Sequence, residues 1–231
     1  MFSDYINYKS HGNIIKSVSE KMIADTSGEF NPYLNIFYEL RLHEFDFHRI
    51  ISGELTNLVG RDHLVNVYGW SLLDDQPIRY IKKFVGDSTV VEVGAGRGYN
   101  ARLLKNNGVN IDCFDILDEH DDHWYHITLE TFYPIMKGDH NIVLTHKVDE
   151  VNKVLMLSWP PYNSSFAYDT LTNAINTASY SKLIFIGEDA GGCCANDEFF
   201  DLLENECELV DDLSIPQYNC IHDRLFLYNI K

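Results

Sequence analysis

Thr89-Val90-Val91-Glu92-Val93-Gly94-Ala95-Gly96-Arg97-Gly98-Tyr99 is the stretch on which the reading of this chain turns. Its first five residues are a short, β-branched run that ends on glycine, the pattern of a buried parallel strand. A helical pattern follows through Ala101–Asn106 and stops at Gly108. Glycines in a strand-to-helix turn let the backbone bend tightly and approach a ligand with no Cβ in the way. A dinucleotide fingerprint places its third glycine or alanine where this chain has Tyr99. A tyrosine there argues against a closely held pyrophosphate.

Downstream, strands and helices are expected to alternate. Val109–Phe114 reads as a second strand that ends at Asp115. A carboxylate at that point accepts hydrogen bonds from both hydroxyls of a ribose, and Ile116 beside it can pack on a base. Phe132–Met136 is expected to be a third strand ending at Gly138-Asp139. Val154–Leu157 is a fourth, running into Ser158-Trp159-Pro160-Pro161-Tyr162. Residues 166–178 read as a helix, Leu183–Ile186 as a fifth strand, and Asp197 to Asn205 as another helix. Leu209–Ile215 and Leu225–Ile230 are expected to pair as a terminal hairpin. Such alternation implies an α/β fold, a mostly parallel sheet with helices on both faces. Ligands of such sheets lie at the carboxyl ends of the strands. The loops after Val93, Phe114, Leu157 and Ile186 should therefore share one rim.

Upstream, residues 1–30 are polar and weakly patterned. From Pro32 to about Val67 apolar residues recur at helical spacing, among them Leu34, Phe37, Leu40, Phe45 and Ile50. Asp75 is expected to cap a short helix with Tyr80, Ile81 and Phe84 turned inward. The expected division is a helical extension over 1–85 and an α/β domain over 86–231. No run approaches the roughly 20 apolar residues of a membrane span, and Met1–Tyr5 has no basic segment followed by an apolar one. A soluble, cytoplasmic protein without a signal peptide is expected. Five cysteines, two of them adjacent, read as buried free thiols.

The formal net charge is −17. Duplex nucleic acid is held largely by neutralising phosphates with Lys and Arg, and the basic residues here are scattered. A small molecule or a protein is the expected partner, duplex nucleic acid is disfavoured, and the charge says nothing of oligomeric state.

Several residues of the rim carry chemistry. Glu188 ends the fifth strand and precedes Gly191-Gly192-Cys193. His222-Asp223 precedes the last strand and should reach the same rim. A histidine base near neutral pH, His222, can take a proton while Asp223 or Glu188 orients it. Cys193 has no sequence-local activator and reads as a small residue in a tight loop. His120, His123 and His126 recur by three on an acidic segment. Solvated loop histidines are the simpler account, and no metal site is expected.

The Glu92-x-Gly94-x-Gly96-x-Gly98 pattern, with its acid two residues before the first glycine, resembles that of S-adenosylmethionine (SAM)-dependent methyltransferases. A wider resemblance runs from Tyr68-Gly69-Trp70 to the C-terminus. It rests on Leu157-Ser158-Trp159-Pro160-Pro161-Tyr162, Ile186-Gly187-Glu188, Asp197-Glu198-Phe199, Ile215-Pro216-Gln217 and Ile221-His222-Asp223-Arg224-Leu225. In these motifs the chain is similar to an uncharacterised family of class I methyltransferase-like proteins. The resemblance implies a Rossmann-like sheet with a C-terminal antiparallel hairpin, and SAM as cofactor. It implies a cofactor site at Glu92, Gly94, Ala95, Gly96, Gly98, Tyr99, Asp115, Ile116 and Trp159. The family supplies no substrate.

Trp159-Pro160-Pro161-Tyr162 stands where amino-group methyltransferases carry Asp, Asn or Ser before Pro-Pro-Tyr. There the polar side chain and a proline carbonyl accept hydrogen bonds from the target amine, and the aromatic stacks on the substrate. Trp159 fills the polar slot with a group that only donates; Ser158 substitutes if the register shifts by one. The expected function is a methyltransferase, with substrate contacts from Trp159, Pro160, Pro161 and Tyr162 and chemistry from Ser158, Glu188, His222 and Asp223 on the shared rim. The alternatives are a SAM-binding module without methyl transfer and, against Tyr99 and the hairpin, a nicotinamide-dependent oxidoreductase.

Overall fold

The computed structural model describes residues 65, 69–116, 131–146, 153–218 and 221–231. The expected helices between 32 and 67 and the histidines at 120, 123 and 126 lie outside the described residues. The chain divides into two compact units, residues 1–68 with 216–221 and residues 69–215 with 222–231. Everything below belongs to the second.

Its elements are α1 (Asp75–Val85), β1 (Thr89–Val93), α2 (Tyr99–Asn106), β2 (Asn110–Asp115), β3 (Met136–Lys137) and α3 (Ile142–Thr145). They continue with β4 (Lys153–Ser158), α4 (Phe166–Thr177), β5 (Tyr180–Gly187), α5 (Asp197–Glu206), β6 (Cys207–Ser214) and β7 (Arg224–Ile230). The seven strands form one sheet in the order β3-β2-β1-β4-β5-β7-β6. β1 to β5 pair in parallel, and β7 runs antiparallel to both β5 and β6. The expected mostly parallel sheet with a terminal antiparallel hairpin is what the chain forms.

The β-branched run at 89–93 is buried along its whole length because helices cover both faces of the sheet. Successive residues alternate between the two cores. Val90, Ile111, Val154 and Ile184 pack with Ile78, Ile81 and Val85 of α1 and with Ala101 and Leu104 of α2. Val91, Val93, Leu155 and Phe185 pack with Ala167 and Leu171 of α4 and Phe199 of α5. Each fully buried side chain of this size contributes roughly 1.5–3 kcal/mol.

Three local details differ from the expectation. α1 is capped by Asp74, whose side chain accepts from the Gln76 N–H, so Ile78 and Val85 turn inward with Ile81 while Tyr80 faces out. The third strand shrinks to Met136–Lys137. Pro134 interrupts the run and has no N–H for the ladder. The Phe132 N–H goes instead to the Arg97 carbonyl, and the Tyr133 hydroxyl donates to the Ile111 carbonyl. Cys193 is exposed, whereas Cys113, Cys194 and Cys207 are buried; all four are free thiols. No helix among the described residues is long and apolar enough to cross a membrane.

Candidate functional site

The parallel register brings the carboxyl ends of β1, β2, β4 and β5 to one rim. β7 enters from that rim, since Arg224 pairs with Gly187. The sequence-expected residues gather there in three groups.

The first group is the turn between β1 and α2. Gly94, Gly96 and Gly98 have φ of 79°, 56° and 73°, the left-handed region that disfavours side chains. Four main-chain N–H groups of the turn are taken within the protein. Those of Gly94 and Ala95 donate to the Phe114 carbonyl (2.8 and 3.1 Å), that of Gly98 to the Ala95 carbonyl, and that of Gly96 to Asp115 Oδ2 at 2.8 Å. The turn is thereby clamped on the end of β2. Asp115 is half-buried, and beside it Ile116 leaves 44% of its surface exposed, unusual for so apolar a side chain.

Glu92 and Tyr99 lie deeper. The Glu92 carboxyl is buried and accepts from the Cys113 thiol at 3.5 Å. Burial pushes its pKa up to about 8; the Cys113 contact draws it back and the Asp115 charge adds to the rise. Tyr99 opens α2 and packs edge-on against Phe132 at 5.1 Å.

The second group stands at the end of β4. Ser158 meets the hydroxyl of Ser71 at 2.8 Å, and the Asn100 amide of α2 donates to that same Ser71 oxygen at 2.7 Å. Trp159 adopts φ of 51°, rare and costly for a bulky residue. Its ring stacks on Trp70 with centroids 5.3 Å apart and an interplanar angle of 25°. Its indole N–H donates to Asp223 Oδ2 at 3.0 Å. The Pro160 carbonyl accepts from the Ala195 N–H at 3.2 Å. Pro161 and Tyr162 project outward, with 70% of Tyr162 exposed.

The third group is Glu188 with its loop. Oε2 accepts the Cys193 N–H at 2.7 Å and Oε1 the His222 N–H at 2.8 Å. Burial raises the Glu188 pKa, but these main-chain donors outweigh it and leave the carboxyl below its usual range. Gly192 lets the loop close this tightly, because a Cβ there would collide with the Glu188 side chain. His222 is largely exposed, its ring Nδ1 3.7 Å from Glu188 Oε1. The Glu188 charge, then burial, raises the Cys193 thiol, which keeps it a poor nucleophile. Asp223 is 1% exposed. Burial pushes its pKa up to about 7, against the pull of the Trp159 N–H and with the repulsion of Glu188.

Glu188 thus stands beside the expected base His222, while Asp223 is directed to Trp159. Trp70, Ser71 and Asn100 join the rim without having been singled out as site residues. Trp70 belonged to the Tyr68-Gly69-Trp70 motif, but nothing in the sequence pairs it with Trp159. Among the described residues, no group of three or more His, Cys, Asp and Glu side chains is placed to hold a metal ion.

No protein-family model and no curated protein matches the chain. Solved structures do resemble it. One is the magnesium protoporphyrin IX methyltransferase of Synechocystis PCC 6803 with bound SAM. It is 12% identical, with 86% of this chain and 97% of that one covered and a TM-score of 0.47. A TehB-like SAM-dependent methyltransferase of Corynebacterium glutamicum is 14% identical over 76% and 97% of the two chains, with a TM-score of 0.44. An rRNA methylase of Streptococcus thermophilus is 15% identical over 69% and 99%, with a TM-score of 0.40. Identities this low leave the function to be read from the residues of the chain itself.

Proposed function

We propose that this protein is a SAM-dependent methyltransferase whose cofactor lies across the ends of β1 and β2. The observation that carries the reading is the turn at Gly94–Gly98, whose N–H groups at Gly94, Ala95, Gly96 and Gly98 are spent on Phe114, Asp115 and the turn itself. A dinucleotide site uses such N–H groups to cradle a pyrophosphate. A turn that has spent them suits a nucleoside ligand without phosphates.

The residues present fit that ligand. Asp115 is fixed through one oxygen by the Gly96 N–H and stands half-buried at the strand end, as a ribose-holding carboxylate requires. The exposed Ile116 offers an apolar face for the adenine. Gly94, Gly96 and Gly98, with Ala95 between them, let the turn take its left-handed course at the strand end, while Glu92 and Tyr99 support it from within. When bound, SAM supplies an electrophilic methyl group on a sulfonium. The chain's part is then to position an acceptor and exclude water, which can account for most of a methyl-transfer rate. Trp159, Pro160, Pro161 and Tyr162 form the acceptor side, with Ser158, Glu188, His222 and Asp223 as its polar groups. The net charge of −17 favours a small molecule or a protein as acceptor over a long nucleic acid.

Calorimetric titration with SAM, S-adenosylhomocysteine and NAD tests this. Binding of the first two without the third is expected, and binding of neither SAM-type ligand overturns it. A second reading, a SAM-binding module without methyl transfer, is favoured by one feature. The indole of Trp159 and the carbonyl of Pro160, which occupy the amine-binding positions, are already bonded within the protein. Labelled SAM incubated with fractionated extract separates the two readings. Label transferred to any fraction supports the enzyme, and its absence from all of them favours the module.

A further inference from the structure

The Trp159 side chain combines features that a residue merely walling a pocket does not need. Its backbone sits at φ of 51°, a conformation that costs a bulky residue on the order of 1–3 kcal/mol and persists where the surroundings impose it. Its flat ring lies on Trp70 at 5.3 Å. Its one polar atom, a ring N–H, reaches the Oδ2 of a carboxylate that is 1% exposed. An aromatic platform and a buried hydrogen-bond acceptor are thus arranged around a flat N–H donor, at the end of β4.

We propose that the Trp159 indole occupies the place of the methyl acceptor, and that the acceptor is a flat aromatic amine which displaces it, stacking on Trp70 and donating its N–H to Asp223. The inference rests on the methyltransferase reading for the reaction, but the slot itself is argued from Trp70, Trp159 and Asp223. In the reaction the amine lone pair forms the new N–CH3 bond as the S–CH3 bond of the sulfonium breaks, leaving a neutral thioether. The nitrogen, now cationic, sheds its proton to the Asp223 carboxylate. A neutral amine and a carboxylate become a methylated amine and a carboxylic acid. Asp223 then performs the accepting role that Trp159, a donor only, cannot. A carboxylate whose burial favours the protonated form near neutral pH suits that role.

The test uses the full chain with 15N-labelled indoles and two probes uncharged near neutral pH, aniline and N,N-dimethylaniline. The Trp159 indole N–H resonance is assigned by its loss in Trp159→Phe. In the wild type, aniline is expected to shift that resonance, and N,N-dimethylaniline, with no N–H to offer, to leave it in place. Trp159→Phe keeps an aromatic ring but removes the indole N–H that Asp223 Oδ2 accepts. It should bind aniline about tenfold more tightly than the wild type, the worth of one hydrogen bond to a charged group. Asp223→Leu, which removes the acceptor, should erase the distinction between the two probes. A resonance unmoved by aniline, a shift equal for both probes, or no gain in Trp159→Phe overturns the proposal. No nucleoside is present in these titrations. Failure here leaves the SAM reading standing, and failure of SAM to bind leaves the slot to be judged on its own.

Discussion

The two ends of the rim are built from different materials. At β1 and β2 the main chain does the work: left-handed glycines, N–H groups turned onto the Phe114 carbonyl, and one carboxylate. All of it lies within residues 89–116, so the site follows from local sequence. At β4, β5 and β7 side chains take part in every contact, and each contact joins distant segments: Ser71 to Ser158, Trp159 to Asp223, and Glu188 to the main-chain N–H of His222. A region made from the backbone tolerates little change at its glycines. One made from contacts between distant segments can be altered without disturbing the turn between β1 and α2.

The largest effect should come from the backbone end. A Cβ at Gly98 would lie 2.9 Å from Ile135 Cδ1 and 3.0 Å from Tyr133 Cβ, at φ of +73°. Gly98→Val combines strain with overpacking and should cost about 2–5 kcal/mol. In a chain of this size that is roughly ten degrees of Tm. Gly191→Ala is the control, since Gly191 shares a positive φ of +85° but has nothing within 4 Å. Its cost should be strain alone. Equal thermal shifts in the two variants would remove the distinction between a packed turn and a free one.

Asp115→Ala tests the ligand side of the same region. Loss of a charged hydrogen-bond partner costs about 1.5–3 kcal/mol, so SAM affinity should fall at least about tenfold by calorimetry. An unchanged affinity would remove the ribose assignment. The Gly96 N–H also loses its acceptor, so Tm should fall as well.

These differences explain what the sequence disclosed. The run Thr89–Val93, the stop at Gly108 and the hairpin are local patterns, and the structure contains them within a residue or two. The third strand was misjudged because apolar content was weighed above Pro134, which forfeits a ladder hydrogen bond. The helix cap moved from Asp75 to Asp74 because only the geometry says which acid faces the Gln76 N–H. In the rim, strand ends counted along the chain bring Glu188, His222 and Asp223 together, but leave open which acid faces His222; Glu188 accepts the His222 N–H and Asp223 turns to Trp159. The bond from Trp159 to Asp223 and the place of Trp70 depend on loop conformations that no spacing encodes.

Two glutamates at opposite ends of the rim should respond to pH with opposite sign. Glu92 is raised by burial to about 8. In the unfolded chain it ionises at the ordinary value, so its stabilising share is full below that value and is lost as pH rises through about 8. Glu188 is held low by the Cys193 and His222 N–H groups despite its burial. Its share is present above the ordinary carboxylate range and is lost as pH falls through its lowered value. Thermal unfolding across pH should therefore show Glu92→Gln gaining relative stability toward alkaline pH and Glu188→Gln losing less than the wild type toward acid. Parallel Tm profiles for both variants and the wild type would contradict these environments.

The smallest effect should lie in the hydroxyl chain that joins the two ends. Ser71 is buried and shares its oxygen between the Asn100 amide and the Ser158 hydroxyl. Asn100 Oδ1 is itself buried without a hydrogen-bond partner, so removing Ser71 also deprives the amide nitrogen of its acceptor. Ser71→Ala should cost about 1 kcal/mol, or roughly 2–4 °C of Tm. Ser158→Ala breaks one bond of the same chain from its more exposed end and should cost less. If the three side chains act as a unit, the double variant should cost less than the sum of the singles, with a coupling of at least about 0.5 kcal/mol. Strict additivity would mean that the Ser71–Ser158 hydrogen bond carries no coupling, and that the Gly94–Gly98 turn and the Trp159 loop are not linked through it.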